Sequence, residues 1–83
     1  MMKYEVRITP RAEKDYRTIP THIRANIFKK MIALEDDLQG DVKKLKNFEP
    51  PYRLRVGDYR VLFDIEGNEI VVYRVMHRRE SYR

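Results

Sequence analysis

With 83 residues the chain is too short for two domains, and a domain of this length buries only about 60% of the surface its unfolded form exposes, so one small core spanning residues 1–83 is expected. A hydrophobic content of 42% excludes the composition of a disordered chain, and the absence of cysteine excludes a disulfide framework or a thiolate metal site. The net charge of +5 favours polyanionic or acidic partners, while the lack of any apolar stretch approaching the ~20 residues of a membrane span, or of signal-peptide character at the N-terminus, predicts a cytoplasmic protein with no membrane partner.

From Met2 to Ile8, Tyr4, Val6 and Ile8 alternate with Lys3, Glu5 and Arg7, the period of a half-buried strand. Thr9 and Pro10 then give a helix start: a capping hydroxyl, followed by a proline whose missing N–H is not needed in the first turn. A short helix to about Arg17 follows, and Ile19–Pro20 breaks it. Thr21 is placed to cap a longer helix in which Ile23, Ile27, Met31, Leu34 and Leu38 form one stripe, with Gly40 as its stop. The stretch DVKKLKNFEPP, residues 41–51, reads as an irregular basic connection because the double proline opposes both helix and central strand, with Leu45 and Phe48 anchoring it to the core.

Tyr52, Leu54 and Val56 next alternate with Arg53 and Arg55, Gly57–Asp58 supplies a turn, and Tyr59, Val61, Phe63 and Ile65 alternate with Arg60, Leu62 and Asp64. A second turn at Glu66, Gly67 and Asn68 leads into a β-branched and aromatic run from Ile70 to His77. The expected fold is therefore α+β: a strand, a two-helix hairpin and a three-stranded meander, closing into a four-stranded antiparallel sheet with both helices on one face.

Strand parity places Arg53, Arg55 and Arg60 together on the face away from the helices. Alternating arginines also suit an ordinary solvated strand face, so parity alone leaves two readings open. Like charges on adjacent strands nevertheless repel unless an anion is expected, and guanidinium grips phosphate through two parallel hydrogen bonds. The closing segment HRRESYR adds Arg78 and Tyr82, a cation and an aromatic ring of the kind that holds a backbone phosphate and stacks on an unpaired base.

The pattern R-x-R-x-G-x-Y-R at 53–60, followed by H-R-x-x-x-Y at 77–82 and preceded by a strand, a helix pair and a basic loop containing LK, resembles the RelE/ParE superfamily of toxin–antitoxin toxins over essentially the whole chain. It resembles the RelE branch in particular. That resemblance implies a ribosome-dependent endoribonuclease that cuts messenger RNA in the decoding site without a metal or other cofactor. It also implies a small DNA-binding antitoxin as partner in a hetero-oligomer.

By position, Arg53 and Arg55 correspond to the family's basic pair on the first hairpin strand. Arg60 and Arg78 correspond to its phosphate-stabilising arginines, and Tyr82 to its near-terminal tyrosine. Well-described members carry lysines where this chain has Arg53 and Arg55. Because arginine keeps its proton, proton transfer is assigned to Tyr82 or to His77. Lys43, Lys44, Lys46, Arg79 and Arg83 are expected to dock on ribosomal RNA. Two alternatives share the resemblance: a ParE-like inhibitor of DNA gyrase, which needs no catalytic tyrosine, and an inactive relative that binds antitoxin or nucleic acid.

Overall fold

The computed structural model describes residues 3–80. Its elements are β1 (Glu5–Ile8), α1 (Pro10–Arg17), α2 (Thr21–Ala33), β2 (Asp41–Lys44), β3 (Tyr52–Val56), β4 (Tyr59–Glu66) and β5 (Glu69–His77). The class is α+β as expected, but the sheet has five strands, in the order β1-β5-β4-β3-β2. It is mixed rather than wholly antiparallel: β1 pairs in parallel with β5, and every other pair is antiparallel.

One element accounts for both differences. Residues 41–44, read as irregular, form the edge strand β2, with Val42 opposite Leu54 and Lys43 opposite Arg53. The prolines that argued against a strand lie beyond it, at 50 and 51, in the connection to β3. An additional strand adds one reversal of the chain, so the direction of every later strand inverts and β5 comes to run alongside β1 rather than against it. Gly40 makes the turn into β2 instead of stopping a helix. Its φ of +130° lies in the region glycine tolerates, and a Cβ there would stand 2.8 Å from Leu54 Cδ1.

The start of α1 is as the sequence indicates: Thr9 Oγ1 accepts from the Ala12 amide at 3.3 Å, with Pro10 in the first turn. The second helix differs at both ends. Pro20, not Thr21, holds the N-cap position, and no side chain caps it. The helix closes at Ala33 because the chain beyond it turns to the edge of β1. There the Glu35 carbonyl accepts from the Tyr4 amide at 2.9 Å, and the Glu35 carboxylate accepts from Val6 at 2.9 Å. These bonds satisfy donors that an exposed edge strand would otherwise present. The Tyr16 hydroxyl donates to the Arg24 carbonyl at 3.0 Å and ties the two helices together.

Ala12, Ile19, Ile27, Met31 and Leu34 meet Leu54, Val56, Val61, Phe63, Ile70, Val72 and Val75 in one buried cluster between helices and sheet. A bulge in the β4–β5 ladder between Leu62 and Phe63 gives β5 one extra residue, Tyr73, so Phe63 faces Val72 while Leu62 faces Arg74. This insertion keeps Val72 and Val75 on the same face although three positions separate them. Leu62 and Val71 are also buried, but outside that cluster, on the sheet's other face. That face is partly roofed, since Glu49 and Pro50 of the β2–β3 connection line a shallow pocket with Asp64 and Tyr73.

Candidate functional site

The β3–β4 hairpin fixes the arginines. Its two-residue turn, with Gly57 at φ +57°, sets Val56 opposite Tyr59, Arg55 opposite Arg60 and Leu54 opposite Val61. Leu54 and Val61 face the core, so Arg55 and Arg60 point together to the other side. Extending the register gives a row Asp41–Arg55–Arg60–Met76 across four strands, and beside it a row Lys43–Arg53–Leu62–Arg74.

Within these rows the three hairpin arginines differ. Arg53 has a side chain only 13% exposed, and its Nη1 donates to the Asp41 carbonyl at 3.3 Å and lies 3.5 Å from the Asp41 carboxylate. Arg55 is exposed. Arg60 is 8% exposed; its Nη1 donates to the carbonyl of the adjacent Tyr59 at 3.3 Å, and its buried Nε has no hydrogen-bond partner among the described residues. Neither Arg55 nor Arg60 makes an ion pair with a carboxylate among those residues.

Arg60 is thus a permanently charged group, almost entirely withdrawn from water, with a second guanidinium directly across the ladder. Burial of a charge without a counter-ion and with an unsatisfied donor opposes folding. An anion lying between Arg55 and Arg60 would relieve both the repulsion and the unsatisfied donor.

Arg78 follows β5 directly. Its amide donates to the Asp58 carbonyl at 2.7 Å and its Nε lies 3.8 Å from the Asp58 carboxylate, which holds the end of the strand against the β3–β4 turn. It stands two residues beyond Met76, the partner of Arg60. Arg79 is exposed, and its amide donates to His77 Nδ1 at 3.2 Å. Tyr82 and Arg83 lie outside the described residues.

His77 is not brought to Arg60. It pairs with Tyr59, whose ring packs on the core, and the two rings meet edge to face with centroids 5.3 Å apart on the helix side of the sheet. The three lysines are all exposed but do not form one patch. Lys43 shares the face of Arg53, whereas Lys44 points the other way, with its ammonium 5.7 Å from the Tyr52 ring centroid, and Lys46 lies in the loop beyond. Among the described residues no group of three or more His, Asp or Glu side chains is placed to hold a metal ion, and no helix is long and apolar enough to cross a membrane.

The sequence reading missed a second charged cluster. Asp15 on α1 accepts from Arg74 Nε at 2.7 Å, from Arg74 Nη2 at 3.2 Å and from the Val75 amide at 3.1 Å, with Arg11 Nε 3.6 Å away. β1 pairs with β5 only as far as Val72, so Asp15 takes the place of a strand neighbour for the second half of β5. The hydrogen bond to Asp15 pushes Arg74 further above its already high pKa, against the opposing effect of burial. Residues 59 positions apart give no local signal of this pairing. At the far end of the arginine-bearing face, the bulged Tyr73 donates from its hydroxyl to the Glu66 carboxylate at 2.7 Å. That bond raises the Tyr73 pKa above 10.0, with the nearby Glu66 and Asp64 charges adding to it.

The family model for the ParE toxin of type II toxin–antitoxin systems matches residues 6–82. Toxin RelE3 of Methanocaldococcus jannaschii is 40% identical over 76 residues, covering 83% of this chain and 84% of that protein. Among solved structures, the RelBE2 toxin–antitoxin complex from Mycobacterium tuberculosis superposes with a TM-score of 0.80 at 29% identity, over 93% of this chain and 100% of the other. The RelB–RelE antitoxin–toxin complex from Methanococcus jannaschii gives 0.75 at 32%, over 90% and 93%. The family model carries the ParE name and the relatives carry the RelE name. The two names belong to one superfamily, and the 40% relative, aligned over most of both chains, decides the branch. The chain belongs to the RelE/ParE superfamily of toxin–antitoxin toxins, in its RelE branch.

Proposed function

We propose that this toxin is an endoribonuclease that cuts messenger RNA on the ribosome, and that Arg60 is the centre of its phosphate site. The observation that carries the reading is the buried Arg60 guanidinium, with Arg55 opposite it and its Nε without a partner among the described residues. In the reaction, the 2′-hydroxyl of one nucleotide attacks the adjacent phosphorus, the bond to the 5′-oxygen breaks, and a 2′,3′-cyclic phosphate and a 5′-hydroxyl result. Negative charge grows on the non-bridging oxygens of the five-coordinate phosphorus. Arg60, with Arg78 beside the hairpin turn, stabilises that charge, while Arg53 and Arg55 hold the flanking backbone.

The proton of the 2′-hydroxyl must leave and the 5′-oxygen must gain one. Guanidinium can do neither. His77 sits on the far side of the sheet with its Nδ1 engaged by Arg79, so the assignment falls to Tyr82, which would also stack on the base. Lys43 and Lys46, together with Arg79 and Arg83, would dock on ribosomal RNA. The RelE-type relatives of M. tuberculosis and M. jannaschii were solved with RelB-type antitoxins, and by that likeness this chain pairs with an antitoxin of its own.

Inhibition of DNA gyrase is the second reading, favoured by the ParE identity of the matching family model. One experiment separates the two. On induction of the toxin alone, mapped messenger ends should accumulate inside translated codons and vanish when ribosomes are omitted in vitro. Loss of plasmid supercoiling with intact messenger would assign gyrase instead.

A further inference from the structure

His77 ends β5, and the turn that follows at residues 78–80 is fixed through three backbone amides. The Arg78 amide donates to the Asp58 carbonyl at 2.7 Å and the Glu80 amide to the His77 carbonyl at 2.9 Å. Between them the Arg79 amide donates to His77 Nδ1 at 3.2 Å. Two of the three acceptors therefore belong to His77, one on its backbone and one on its ring. A side chain that accepts from the amide two residues on shapes the local turn, as the side-chain carbonyl of asparagine does. This turn is the exit of the chain from the sheet, and Tyr82 follows it two positions beyond Glu80.

The ring bond has a chemical requirement. Nδ1 accepts only while it carries no proton, so the imidazole must be neutral with its hydrogen on Nε2. Protonation makes Nδ1 a donor facing the Arg79 N–H, and two donors cannot share a hydrogen bond. Histidine is the side chain that makes this change between about pH 5 and pH 8. His77 is only half-buried and lines a polar cleft of about 320 Å³, where Arg11 and Asp15 of α1, Tyr59 of β4, Arg74 of β5 and Glu80 face it. Asp15 is already engaged by Arg74 and the Val75 amide. The two contacts of the ring are separable, because packing on Tyr59 needs its shape and the bond to Arg79 needs its lone pair.

We propose that His77 is a positioning residue for messenger cleavage. Its unprotonated Nδ1 holds the 78–80 turn in the form that delivers Tyr82 to the phosphate site, and protonation releases the turn and slows the reaction. This rests on the endoribonuclease reading above and on Tyr82 as the group that moves the proton. His77 itself meets neither Arg60 nor the substrate, and acts through Arg79 and Tyr82.

The test compares single-turnover cleavage on programmed ribosomes at about pH 8 and about pH 5.5, within the range in which a histidine titrates. His77→Asn keeps an acceptor for the Arg79 amide but cannot titrate, whereas His77→Phe keeps a ring on Tyr59 and has no acceptor. Thermal unfolding of each variant controls for folding. His77→Asn should cleave near the parental rate at the higher pH, and on acidification the parent should lose about 5-fold to 10-fold more than this variant, the weight of one backbone hydrogen bond. His77→Phe should be slow at both pH values. His22→Gln, which alters the exposed histidine beside the hairpin turn, should keep the parental pH profile. Independently of activity, the Arg79 amide resonance should move with pH in the parent and stay in place in His77→Asn.

Parental cleavage by His77→Phe, or an equal loss on acidification in His77→Asn and the parent, would overturn the proposal while leaving the nuclease reading intact. So would a flat pH profile in His22→Gln, which would move the titrating group to His22. A parent that leaves messenger intact at both pH values would overturn the nuclease reading and the positioning role with it.

Discussion

The two faces of the central sheet are built from the same strands but answer to different demands. On the helix side, Phe63 is fully buried and its ring stacks on Tyr52 at 5.5 Å, surrounded by aliphatic side chains. On the opposite side, one residue earlier in β4, Leu62 is also buried, yet it shares its surroundings with Arg53, Arg55 and Arg60. Among the described residues, burial on the first face leaves no side-chain nitrogen or oxygen without a hydrogen-bond partner. On the second, the Arg60 guanidinium is withdrawn from water without gaining a counter-charge among the described residues. Stability therefore resides in the helix-side face, whereas the arginine-side face gives some of it up, as expected of the phosphate site proposed above.

Substitutions on the two faces should part company accordingly. Phe63→Ala removes a fully buried ring and is expected to cost about 3–5 kcal/mol in urea unfolding. That is a large share of the ~5–15 kcal/mol typical of a domain. Survival of the variant with near-parental stability would break the contrast at its stable side. Asp15→Ala should cost less, ~1.5–3 kcal/mol, because it leaves Arg74 and the Val75 amide without their acceptor at the unpaired half of β5. Amide exchange should then quicken at residues 74–77 ahead of the rest of the sheet.

Smaller effects follow from side-chain direction. Lys43 lies on the arginine face and Lys44 on the other. Lys43→Ala should lower the slope of log affinity against log salt for ribosome binding by ~1, and Lys44→Ala should leave it nearly unchanged. Equal slopes in the two variants would show that binding does not distinguish the faces. Smallest of all is the effect of the Tyr73–Glu66 bond. With its pKa raised in the folded chain, Tyr73 contributes stability that is present below the unfolded value near 10 and is lost as pH rises through the folded value. Absorbance at 295 nm should report a phenol ionising above the usual range, and Glu66→Gln should bring it back.

Much of this contrast could be read from sequence because it depends on period. The alternation of Leu54 and Val61 against Arg55 and Arg60 identifies the two faces, and the Gly57–Asp58 turn fixes their register. What escaped depends on tertiary partners. A four-residue edge strand rich in lysine, followed by two prolines, has no distinctive pattern, and missing it inverted the direction assigned to β5 relative to β1. Leu34 and Leu38 continue the helical spacing past Ala33, where the helix closes and the chain turns so that Glu35 can bond β1, so the stripe outlasts the helix itself. The Tyr73 bulge and the Asp15–Arg74 pair join segments distant in the chain. Alternation places Arg60 on a face, but it carries no information on how deeply the side chain is buried, and it is the burial that separates an anion site from a solvated strand.

The central claim is that Arg60 is kept buried and incompletely bonded for the sake of a phosphate. Arg60→Met replaces it with an uncharged chain of similar length, and the two quantities to compare are its unfolding free energy and its single-turnover cleavage rate on programmed ribosomes. The account predicts a stability unchanged or higher by up to ~1–3 kcal/mol. It also predicts a cleavage rate ~100-fold to ~1000-fold lower, with ribosome affinity little affected. A variant that is less stable and still cleaves at the parental rate would contradict it.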